Sequence, residues 1–122
     1  MNTTQLMTRR VDRMIDTDHR LEIQYMPEGV TVEGGRTYHL LSQVCDDGTV
    51  NHLARVDAMV ITRNEEAVLM WYINAPAYEY QMPDTWMAVR AWDNDSDAVL
   101  ALWRLRRLAR SGSLPRDLRD AI

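Results

Sequence analysis

The stretch from Thr37 to Ile73 constrains this chain most. It reads as consecutive strands, Tyr38–Val44, Val50–Thr62 and Ala67–Ile73. Asp46-Asp47-Gly48 joins the first pair and Arg63-Asn64-Glu65-Glu66 the second. Short Gly/Asn/Asp turns between β-branched and apolar runs favour antiparallel hairpins. The segments 58–62 and 67–73 are almost continuously apolar, the pattern of strands buried on both sides, so the core is expected there.

The central hairpin yields a register. A two-residue Asp47-Gly48 loop would pair Cys45 with Val50, Gln43 with His52 and His39 with Val56. Neither face is then cleanly apolar, which implies that both are partly covered. A three-residue loop would shift the pairing by one and exchange the faces.

The flanks supply covering elements. Residues 3–16 have a helical stripe of Met7, Val11, Met14 and Ile15. Leu21–Met26 alternates like a half-buried strand. Pro27-Glu28-Gly29 reads as a turn, Val30–Val32 as a short return strand, and Gly34-Gly35 as a reversal. Residues 77–92 admit strand or helix, and their alternation favours strand. A helix is expected over about 97–111, with Ser96 as N-cap and Gly112 as terminator. Ala98, Ala101, Leu102, Leu105, Leu108 and Ala109 form its buried stripe. A last short helix is expected over Pro115–Ala121.

The fold class is therefore α+β, one domain over residues 1–122. It comprises a helix at 3–16, a β-rich core at 21–92 and C-terminal helices at 97–121. The antiparallel sheet should have roughly four to six strands, open or curled into a small barrel. A chain of 122 residues can support such a core without staples. Its single cysteine, Cys45, rules out an internal disulfide. No apolar run approaches the ~20 residues that span a bilayer. Residues 1–4 lack a basic, then apolar, secretory pattern. The expected compartment is the cytoplasm of a cell or of an infected cell.

Charge is unevenly spread. All 14 basic residues are arginine and the net charge is −4. Residues 27–97 hold 12 acidic side chains against four arginines, whereas residues 98–122 hold six arginines against two aspartates. So small a total argues against a general nucleic-acid binder.

No catalytic constellation is expected. His39, Cys45 and His52 share a face in the two-residue register, but His39 lies roughly 13 Å along the strand from His52, too far for one metal shell. Cys45 beside the acidic turn is a poor nucleophile. The carboxylate pairs sit at turns and caps, where they satisfy backbone groups. Neither a phosphate loop nor a nucleophile elbow occurs. No metal and no cofactor is implied. A small hydrolase or transferase using Cys45, His52 or the carboxylates ranks last.

The basic arm is the leading contact surface. Trp103, Arg106 and Arg110 recur at i, i+3 and i+7, and Arg107 adjoins them; indole beside guanidinium is a common interface composition.

Residues 21–59 also carry three motifs in order. These are Leu21-Glu22-Ile23-Gln24-Tyr25, Gly35-Arg36-Thr37-Tyr38-His39 and Ala54-Arg55-Val56-Asp57-Ala58-Met59. The segment resembles the WYL domain, an Sm-like small β-barrel of bacterial regulators, whose motifs run Leu-x-Ile-x-Tyr, Gly-Arg-Trp-Tyr-Leu and Phe-Arg-Leu-Asp-Arg-Ile. Thr37 stands where that family has Trp, His39 where it has Leu, and Ala54 where it has Phe. The C-terminal half has no counterpart. The resemblance implies a ligand-sensing role toward nucleotides or single-stranded nucleic acid, with Arg36, Tyr38, Arg55 and Asp57 as the carried-over positions.

Two functions are expected in order. The first is a small non-enzymatic binding or regulatory protein acting by protein–protein contact, as a homo-oligomer or as an accessory or phage-type inhibitor. The second is a nucleotide or nucleic-acid sensing module.

Overall fold

The computed structural model describes residues 19–76 and 85–122. The helix expected over 3–16, and the first half of the segment 77–92, lie outside the described residues. Five strands form one antiparallel sheet in sequence order: β1 (His19–Val32), β2 (Gly35–Cys45), β3 (Val50–Arg63), β4 (Glu66–Pro76) and β5 (Trp86–Trp92). One α-helix, α1 (Asp95–Arg110), and a 3-10 turn (Leu118–Asp120) follow. Among the described residues the sheet is open, so the barrel alternative is not what forms. The strand reading of 86–92 is met. No described helix is long and apolar enough to cross a membrane.

β1 is longer than the sequence suggested. Residues 30–32 are not a return strand but continue β1, and both halves pair with β2. The register jumps between Tyr25↔His39 and Val30↔Thr37, so Pro27 and Glu28 fall in a bulge. Proline has no N–H to donate, and a bulged edge strand is where a sheet tolerates it. Gly29 closes the bulge at φ 71°, and a Cβ there would meet the Tyr38 ring at 3.1 Å.

The central hairpin uses the three-residue loop. The Cys45 N–H donates to Thr49 O at 2.8 Å, and Gly48 sits at φ 85°. Val44 therefore faces Val50, Gln43 faces Asn51 and Ser42 faces His52, which corrects the expected Cys45–Val50 and Gln43–His52 pairs. Leu53 then bulges out of β3, and the two-residue register resumes with Leu41↔Ala54, Leu40↔Arg55 and His39↔Val56. One extra residue puts Leu53 and Ala54 both in the interior, each 0% exposed. That bulge is why simple alternation never sorted this hairpin into an apolar and a polar face.

α1 packs across one face of the sheet. Ala98, Ala101, Leu102, Leu105 and Ala109 are buried and Leu108 partly so, as the stripe predicted. They meet Leu21, Leu41, Val56, Ile73 and Ala75. The N-cap is Asn94 rather than Ser96: its Oδ1 accepts the Asp97 N–H at 2.9 Å from an extended backbone. Gly112 at φ 73° ends the helix as expected. Beyond it the chain forms only the 3-10 turn, not a helix over 115–121, with Leu114 and Leu118 buried as anchors.

The core is displaced from the predicted runs. Val60 is 66% exposed and Leu69 49% exposed. β2 pairing ends at Met59 and β5 pairing begins at Trp71, so residues 60–69 pair only with one another. This two-stranded ribbon turns through Asn64 and Glu65, at φ 50° and 66°. The core instead occupies residues 53–58 and 70–75, where strands flank the hairpin on both sides.

Candidate functional site

The face of the sheet away from α1 carries a buried polar network. Strand alternation and pairing put Thr37, Arg55, Asp57 and Asn74 together on that face of β2, β3 and β4. Asp57 is 1% exposed and accepts from three side chains. Thr37 Oγ1 donates to Oδ1 at 2.7 Å, while Arg55 Nε and Asn74 Nδ2 donate to Oδ2 at 2.8 and 2.6 Å. A carboxylate so far from water persists because each oxygen is hydrogen-bonded and the opposite charge is adjacent.

The network also fixes Arg55. Its Nε is held by Asp57, and its guanidinium carbon lies 4.2 Å from the centre of the Trp86 ring. Beside it opens a cleft of about 820 Å³, with Val32, Glu33, Gly34, Tyr72, Thr85 and Ala88 on its walls.

The four positions implied by the resemblance are thus divided. Arg55 and Asp57 meet at this cleft. Arg36 pairs with Ala58 and so faces the other side, where its Nη1 donates to Glu28 O at 3.0 Å. Tyr38 packs against Trp71 with ring centres 5.5 Å apart. Trp86, Asn74 and Tyr72 were missed as site residues. Asn74 is a polar residue closing an apolar strand opposite Arg55, and that was the only signal for it.

His39, Cys45 and His52 do not converge. The Leu53 bulge turns His52 to the face opposite His39, which corrects their shared face in the two-residue register. His52 Nδ1 lies 3.0 Å from Ser42 Oγ, and His39 stacks on Tyr25 at 4.9 Å. Burial lowers the pKa of His39, against a smaller opposing pull from Asp95. Burial, then Arg55, lowers that of His52, although much of its surface reaches solvent. Among the described residues no group of three or more His, Cys, Asp or Glu could hold a metal.

The outer face of α1 is the second candidate surface. Trp103, Arg107 and Arg110 are exposed. Arg106 belongs partly to the fold: its Nε donates to Leu21 O at 3.2 Å, and its guanidinium lies 5.5 Å from the Trp103 ring centre. Leu100, not singled out in the sequence, takes its place and is 68% exposed. Leu100, Trp103, Arg107 and Arg110 follow i, i+3, i+7 and i+10, one continuous stripe. Next to Leu100 lies a hollow of about 190 Å³ between α1 and β5, lined by Arg90, Trp92, Arg104 and Ile122.

No family model, curated protein or solved structure matches the chain.

Proposed function

We propose that this protein is a non-enzymatic binding module that works by protein–protein contact, and that it associates with a second copy of itself. The observation that carries this reading is the outward pair on α1: Leu100 and Trp103, one turn apart, 68% and 48% exposed. Burying such side chains is worth roughly 1.5–3 kcal/mol each. Trp and Arg together are the composition of interface anchors.

The β3–β4 ribbon supplies a complement. Val60 and Leu69 are its exposed apolar pair, and Glu65 and Glu66 lie at its tip. A two-stranded ribbon is marginal alone in water, so apolar cover would stabilise it. Its acidic tip suits the Arg104, Arg107 and Arg110 side of α1 in another copy. An accessory or inhibitory role would use the same surfaces.

Light scattering at tens of micromolar tests this. The wild type should exceed the mass of one chain, more so at low salt than at high. Leu100→Asp and Val60→Asp should each return it to one chain. A wild type that stays monomeric at every concentration and salt removes the proposal.

A further inference from the structure

The cleft on the face opposite α1 has donors and acceptors that self-association does not use. Arg55 spends only Nε on Asp57. Among the described residues neither of its Nη groups donates a hydrogen bond. Nε is fixed by the carboxylate and the guanidinium carbon sits 4.2 Å from the Trp86 ring centre, so the remaining fork is held in place before any ligand arrives. Asn74 gives its amide nitrogen to Asp57, which leaves its Oδ1 as an acceptor. Tyr72, Trp86, Val32 and Met59 supply flat and apolar walls.

Charge then selects among ligands. Asp57 cancels Arg55, and Glu33 stands on the wall. The cleft has no surplus positive charge with which to hold a phosphate or a free carboxylate. It suits an uncharged planar ring with two adjacent acceptors for the fork and donors for Asn74 and Glu33. Guanine has that pattern: O6 and N7 accept side by side, and N1–H and N2–H donate. Adenine offers a donor where O6 would be.

We propose that this cleft binds a guanine base, recognised through the Arg55 fork rather than through phosphate. Calorimetric titration with guanosine, adenosine and inorganic phosphate tests it. Guanosine should bind, adenosine should bind at least about tenfold more weakly, and phosphate should not bind. Arg55→Lys keeps the charge but loses the fork, so guanosine affinity should fall by roughly tenfold to a hundredfold.

Because Arg55 variants also disturb the Asp57 network, Ala88→Trp is the second variant. Ala88 is exposed on the cleft wall, so a large side chain there fills the cleft and leaves the network intact. It should abolish guanosine binding without changing the melting temperature of the free protein. Absence of guanosine binding at millimolar concentration overturns the proposal. So does binding that survives Ala88→Trp, or binding of phosphate alone with equal affinity.

Discussion

Asn74 Nδ2 donates to Asp57 Oδ2 at 2.6 Å along a diagonal of the sheet, because the strand partner of Asp57 is Tyr72 and that of Asn74 is Arg55. With Thr37 on the far side, the carboxylate ties β2, β3 and β4 together behind the core. Asp57→Asn removes the charge that balances Arg55 in a buried setting, and should destabilise the fold by about 3–5 kcal/mol. Thr37→Val removes one donor of three and should cost about 1 kcal/mol. Urea denaturation measures both. Equal effects from the two variants would contradict the central place given to Asp57.

The ribbon turn stores a correctable strain. Glu65 occupies φ 66°, a left-handed conformation that a side chain with a Cβ resists. Asn64 tolerates the same region better, at φ 50°. Glu65→Gly should therefore stabilise the protein by about 0.5–1 kcal/mol, against the entropy glycine adds to the unfolded chain. Thermal unfolding at constant protein concentration reads the change, and a lower midpoint than wild type would refute it.

Stability should fall in mild acid. His39 has a pKa below the usual 6.5, chiefly because burial disfavours the imidazolium. Its unfolded form thus binds a proton at a pH where the native form does not. The stabilising contribution is complete above about pH 6.5 and is lost progressively as pH falls from there toward the lower native pKa. His52 adds in the same direction, through burial and Arg55. Urea midpoints between pH 5 and 7.5 should rise with pH, and His39→Gln should flatten the slope. A midpoint independent of pH across that window would rule out this account.

Elements whose signal is local were legible in the chain alone. The strand pattern of 37–73 and the apolar stripe of α1 needed no distant contact to be read, because side-chain period follows from backbone geometry. The glycine stop at Gly112 is local in the same way. Ser96 and Asn94 show the limit of that reading: both can cap, and the backbone of the β5–α1 connection chose Asn94.

Register, burial and the polar network came from contacts between strands. The Leu53 bulge reset a register that the turn alone would have carried through, and so separated His52 from His39 and brought Leu53 and Ala54 inward together. The same apolar run is buried at Ile73 and exposed at Leu69, because burial depends on where neighbouring strands end, not on the residues of the run. The Asp57 network joins Arg55 and Asp57, two residues apart on β3, to Thr37 and Asn74, which are 20 and 17 residues from Asp57 and reach it only once three strands pair. Side-chain period is written residue by residue, whereas a site of this kind exists only in the pairing between strands.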